Sequence, residues 1–169
     1  MALAFAQPGA DSRNSLPTMN HDLLESVIRM CVAIVAGGLI GWDRERSGRP
    51  AGMRTHMLVA LGAGLIVSTV GDGPGDVSRG VQGVATGVGF LCAGEILHHG
   101  RDGQEHVKGL TSAASLWVTA AIGMVASAGS WRYVTIGTVG TLIILIAMRP
   151  VERALVRRSD EPPPTSDPR

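Results

Sequence analysis

Residues 23–42 read LLESVIRMCVAIVAGGLIGW, twenty residues from Leu23 to Trp42 with two charges, Glu25 and Arg29. That is the length a helix needs to cross about 30 Å of hydrocarbon. Four more apolar stretches follow, at about 56–70, 77–97, 110–128 and 133–148, separated by charged or Pro/Gly-rich breaks. The third is weakly hydrophobic, being rich in Gly, Ser and Thr, and the second and fifth are short unless flanking residues join them. The whole chain of 169 residues is 45% hydrophobic and 17% charged, where soluble domains carry about 25% charged residues. Five apolar runs with such small polar loops leave almost nothing to face water. The expected fold class is an all-α membrane protein with about five transmembrane helices.

Basic residues collect in cytoplasmic loops. Eleven of the fifteen lie in three breaks: Arg44, Arg46, Arg49 and Arg54 after the first span, Arg101 and Lys108 after the third, and five arginines from Arg149 onward. With five crossings this predicts a periplasmic N-terminus and a cytoplasmic C-terminus in a bacterial inner membrane. Residues 1–20 are expected to be a disordered or mis-annotated extension, with Met19 a candidate start. Residues 21–158 form the transmembrane domain, and 159–169, with Pro162, Pro163, Pro164 and Pro168, form a disordered tail. The net charge of +1 gives no support to a nucleic-acid role. Cys31 and Cys92 sit inside apolar runs, so neither a disulfide nor a zinc site is indicated.

Charges and polar groups at lipid depth are costly and usually face a bundle interior or an interface. Glu25 and Arg29 have i,i+4 spacing, which suits an ion pair, although Arg29 also has the reach to snorkel outward. Glu95, near the inner end of the third span, pairs with an arginine of the Arg44–Arg54 loop or binds a cation. Gly80, Gly83, Gly87 and Gly94 share one helical face. Gly83 and Gly87 form a G-x-x-x-G pair, as do Gly37 and Gly41, and small residues let membrane helices approach closely. This predicts tight packing of the first and third spans, or of two copies of the chain. His98, His99 and His106 share a loop with Asp102 and Glu105, but the spacing does not suit zinc. No metal site, catalytic constellation or cofactor is indicated.

The first connection can be read in more detail. Asp43-Arg44-Glu45-Arg46 leaves the membrane, Pro50 fixes φ, and Gly52 permits a bend. Arg54-Thr55-His56 then re-enters. Arg54 and Thr55 at a helix start suit an anion or lipid headgroup, while Arg54 paired with Asp43 or Glu95 would neutralise charge instead. Thr111 and Ser112 are expected to cap the fourth span, and Trp117 to pack within the bundle.

Three runs carry a resemblance. Residues 37–63, reading GGLIGWDRERSGRPAGMRTHMLVALGA, are similar to the signature of the MgtC/SapB membrane protein family. So are Gly87-Val88-Gly89-Phe90-Leu91-Cys92-Ala93-Gly94 and residues 109–123, GLTSAASLWVTAAIG. The match covers about residues 25 to 129, with three motifs in order. Two departures stand out, since the family usually has Gly at position 92 and an apolar residue at 95. Many members also carry a soluble C-terminal domain that is not expected here. The resemblance implies a bacterial inner-membrane protein of about five helices, tied to growth in low magnesium and survival in macrophages. It further implies a regulatory role through contact with the F-type ATP synthase or another membrane protein. Transport of magnesium or another ion is the alternative, and membrane catalysis the least expected role. The expected surroundings are the lipid bilayer and a membrane partner, with a homo-oligomer through the glycine-rich helices a further option.

Overall fold

The computed structural model describes residues 19–70, 75–97 and 109–159, with side chains from Leu23 to Arg149 and Pro150 apart from the two gaps and Leu97. They form five α-helices: α1 (Met19–Arg46), α2 (Met53–Ser68), α3 (Asp76–Leu97), α4 (Leu110–Ser127) and α5 (Trp131–Ser159). The described residues contain no strand. Each helix covers one of the five apolar stretches, but α1, α4 and α5 alone are both long and apolar enough to cross a membrane. At about 1.5 Å per residue, the 16 residues of α2 fall short of the hydrocarbon thickness, while α3 is long enough but diluted by its polar and glycine content. The histidine-bearing loop, residues 98–108, and the tail after Ser159 lie outside the described residues, as does the N-terminal extension up to residue 18. Met19 and Asn20 open α1.

The organising element is α4, which touches all four other helices. Its buried residues include Ser112, Ala113, Ser115, Leu116, Thr119, Ala120, Gly123 and Ala126. Small side chains on so many sides let four neighbours crowd one axis. The tightest approach is at Gly123, where an added Cβ would overlap the carbonyl oxygen of Ala60 on α2. The remaining core is built alike, from Ala33, Ala36, Ile40, Ala60, Ile122, Ala126, Val134 and Leu145 in one cluster and Ala63, Val84, Val88 and Ala120 in another. Large apolar side chains instead face outward, among them Leu39, Leu58, Tyr133, Ile136 and Ile143, with Phe90 81% exposed. Small inside and large outside is how membrane helices pack, because lipid gives bulky residues no reason to be buried.

The packing corrects several expectations. The Gly37–Gly41 pair faces α2, not α3: a Cβ on Gly41 would stand 2.5 Å from the Met53 Cα, and one on Gly37 2.7 Å from the His56 carbonyl oxygen. The backbones of the first and third helices do not pack against each other among the described residues. The α1–α2 hairpin leaves too little room, since the short connection of residues 47–52 forces the two helices side by side. Left-handed backbone in that connection occurs at Gly48 and Ala51, whereas Gly52 has an ordinary φ of −82°. Gly109 precedes α4 with φ of 97° and no side-chain cap, so neither Thr111 nor Ser112 caps the helix. Trp117, expected inside, is half exposed on the outer surface.

Candidate functional site

The ends of α1, α3 and α5 meet the starts of α2 and α4, and here the polar side chains converge. Arg44 lies one turn beyond Ile40, and both face inward. The Arg44 guanidinium donates to the Ser112 hydroxyl at 2.6 Å in the first turn of α4. Ser112, Ser115 and Thr119 follow i, i+3, i+7 spacing, one face of the helix, and all three are buried. Thr119 donates to the Ser115 carbonyl at 2.8 Å, and the Ser115 hydroxyl donates to the Ser112 carbonyl at 2.8 Å.

His56 completes this ladder from α2. It is fully buried, with Nδ1–H donating to the Gly52 carbonyl at 3.0 Å and Nε2 at 3.1 Å from the Ser115 hydroxyl. A neutral ring donating through Nδ1 accepts through Nε2, so the single Ser115 proton is shared between His56 and the Ser112 carbonyl. The ladder ties α1, α2 and α4 together by side chains that each satisfy a buried polar neighbour. The His56–Ser115 pair is sealed inside the bundle.

A second set of bonds joins α5. Arg149 reaches Asp43 Oδ1 at 2.5 Å and the Ser47 hydroxyl at 2.6 Å, while Ser47 donates to the Asp43 carbonyl at 2.6 Å. The expected partner of Asp43, Arg54, is instead exposed on the first turn of α2 beside exposed Thr55. Asp43 lies on the α5 side of α1, and Arg149 is the base that α5 delivers there. Glu45 turns the other way and accepts the Met53 amide at 3.0 Å, satisfying one of the donors that a helix start leaves open and placing negative charge at the positive end of α2. An added Cβ on Gly52 would come within 3.0 Å of the same carboxylate. The Arg46 guanidinium sits 5.4 Å above the Trp42 ring.

Between these groups lies a pocket of about 480 Å³, lined by Arg44, Arg46, Arg49 and Arg149 with Ser47 and Thr111, and walled on one side by Ile144, Leu145 and Met148. The remaining expected residues are elsewhere. Gly83 and Gly87 line a separate apolar groove between α2 and α3. A Cβ on Gly83, Gly87, Gly89 or Gly94 would meet nothing within 4 Å, and Phe90 faces outward. Glu95, one turn beyond Cys92, has a buried carboxylate oxygen, Oε1, and Cys92 joins α3 to α4 through the Ala113 carbonyl at 3.1 Å. At the opposite end of the bundle Glu25 and Arg29 do form their ion pair, and Arg29 also donates to the Ser127 carbonyl at 2.9 Å, pinning the start of α1 to the end of α4. Sequence reasoning missed Ser115, Thr119, Ser47 and Arg149; the i, i+3, i+7 hydroxyl spacing in α4 was the available signal for the first two.

Comparison with known proteins agrees with this architecture. The model of the MgtC family matches residues 30–154. Protein SrpB of Synechococcus elongatus is 44% identical over 153 residues, covering 83% of this chain and 84% of SrpB. The Escherichia coli K12 protein named "Putative magnesium transporter YhiD" is 44% identical over 131 residues, 72% of this chain and 59% of YhiD. Protein MgtC of Brucella abortus is 37% identical over 125 residues, 73% of this chain and 51% of that protein. The chain thus spans little more than half the length of the latter two. No solved structure matches it at a significant level. On the match across most of its helices, the chain belongs to the MgtC family.

Proposed function

We propose that this chain is a multi-pass inner-membrane protein that regulates a membrane partner through helix contacts and catalyses no reaction. Its N-terminus is periplasmic and its C-terminus cytoplasmic, in keeping with the arginine-rich ends of α1 and α5. The observation that carries the regulatory reading is the open face of α3. Gly83 and Gly87, with Leu58, Ile66 and Leu91, border an apolar groove of about 500 Å³ in which their Cα atoms are bare. Small-residue faces are where membrane helices associate, and among the described residues no helix covers this stripe. The favoured partner is the F-type ATP synthase, with growth in low magnesium and survival in macrophages as the setting that the family resemblance suggests.

The name of YhiD favours a second reading, transport of magnesium. Magnesium is bound through oxygens, usually carboxylates and water, whereas the polar pocket in this chain is lined by four arginines that repel a divalent cation. The tagged chain purified from native membranes in mild detergent tests the choice. ATP synthase subunits are expected to co-purify, and Gly83→Leu with Gly87→Leu to reduce their recovery several-fold. Absence of those subunits, together with saturable magnesium flux into sealed proteoliposomes, would overturn the regulatory reading. Reporters fused after Arg158 and within residues 71–76 are expected to report cytoplasm and periplasm respectively; the reverse would refute the orientation.

A further inference from the structure

We propose that the arginine-lined pocket between α1, α4 and α5 binds a phosphate group. Its volume of about 480 Å³ lies in the range of small-ligand sites, roughly 300–1,000 Å³. Four guanidinium groups line it, from Arg44, Arg46, Arg49 and Arg149, with the Thr111 and Ser47 side chains beside them. Among the described lining residues there is no carboxylate; Asp43 stands behind Arg149, which it holds in place. Thr111 belongs to the first turn of α4, whose N-terminus has no side-chain cap, so the positive end of that helix adds to the field. Arginine forks match the oxygen geometry of phosphate, and a site this positive selects an anion.

Arg44 and Arg149 are anchored at the inner side of the pocket before any ligand arrives. Arg44 is held by Ser112, and Arg149 by Asp43 and Ser47. Arg46, the last residue of α1, and Arg49, on the short connection after it, are both exposed at the pocket's edge. A site with a rigid base and two outer arms suits an anion that enters from the end of the bundle. The fourth wall, Ile144, Leu145 and Met148 on α5, is apolar. That combination admits a phosphate from either of two sources, the headgroup of an anionic lipid whose chains run along α5 or a soluble phosphate compound.

The experiment uses the full chain, as wild type, as Arg46→Gln with Arg49→Gln, and as an Arg132→Gln control at the far end of the bundle. All three altered positions are exposed, and circular dichroism and gel filtration check that the variants fold. In detergent, inorganic phosphate and pyrophosphate are titrated against thermal unfolding. In parallel, each protein is reconstituted in phosphatidylcholine discs with and without cardiolipin, and retained lipid is measured by native mass spectrometry. Stabilisation by pyrophosphate that weakens at least tenfold in the double variant, but not in Arg132→Gln, supports the site with a soluble ligand. Retention of cardiolipin that is lost in the double variant alone supports it with a lipid headgroup. Equal behaviour of all three proteins in both arms overturns the proposal. If the double variant does not fold, titration of sodium sulfate against the pyrophosphate shift in wild type decides: competition supports an anion site, and its absence overturns it.

Discussion

Replacing Gly123 with alanine sets two opposed effects against each other. In a helix interior alanine is favoured over glycine by about 1 kcal/mol, so propensity alone makes Gly123→Ala stabilising. The new methyl, however, would overlap the Ala60 carbonyl oxygen and lie 2.8 Å from its carbon and 2.9 Å from its Cα. These are backbone atoms of α2 and have no rotamer through which to escape. Relief requires the two helices to separate by roughly 1 Å, enough to forfeit much of the dispersion at their contact. The same separation opens the neighbouring contact of Gly64 with the Gly123 carbonyl, 3.1 Å for an added Cβ. Overpacking of this kind costs about 1–3 kcal/mol, so after the propensity gain the net effect is a loss of about 0–2 kcal/mol. Gly140 is the matched control, because a Cβ there meets nothing within 4 Å, and Gly140→Ala should gain stability. The assay is thermal unfolding of both variants in one detergent, followed by circular dichroism. Gly123→Ala melting at or above Gly140→Ala would refute the close α2–α4 crossing.

Ser115→Ala should destabilise the bundle by about 1–3 kcal/mol, since it leaves His56 Nε2 buried without its hydroxyl, and His56→Phe should do no better; unfolding in denaturant checks both. Asp43→Asn and Arg149→Gln should each lower stability, and the double variant should lose less than their sum, with a coupling of about 0.5–3 kcal/mol in a double-mutant cycle; additive losses would show that the α1–α5 pair carries nothing. Glu45→Ala should cost about 1 kcal/mol by uncapping α2, and hydrogen exchange should rise first at Met53.

Much of the fold was legible because its driving pattern is local. Five apolar stretches became five helices with ends shifted by at most four residues, except that α5 runs eleven residues past its stretch, to Ser159. The Glu25–Arg29 pair was legible for the same reason, four residues on one helix being neighbours by construction. What a stripe cannot encode is its partner. Gly37–Gly41 and Gly83–Gly87 carry the same spacing, yet one pair packs on α2 while a Cβ on the other would meet nothing within 4 Å among the described residues. The six-residue connection decides this, by docking α2 on α1 before α3 can reach it. Charge pairing across long separations was equally hidden. The sequence offered Arg54 as a partner for Asp43, and only the path of α5 shows that Arg149 comes within bonding distance instead.

The division of labour among the arginines follows from where each side chain's bonds go. A guanidinium at the bundle's edge is best held within the protein; buried Arg44 bonds Ser112, and half-buried Arg149 bonds Asp43 and Ser47. Substituting either should therefore disturb the fold first. Arg46 and Arg49 stand exposed at the rim of the same pocket. Exposed charges usually contribute little to stability, so replacing these two is the gentler test of the proposed anion site. A rigid inner pair and an exposed outer pair thus separate two effects that most charged clusters confuse. Loss of Arg44 or Arg149 reports on folding, and loss of Arg46 and Arg49 reports on what the pocket holds.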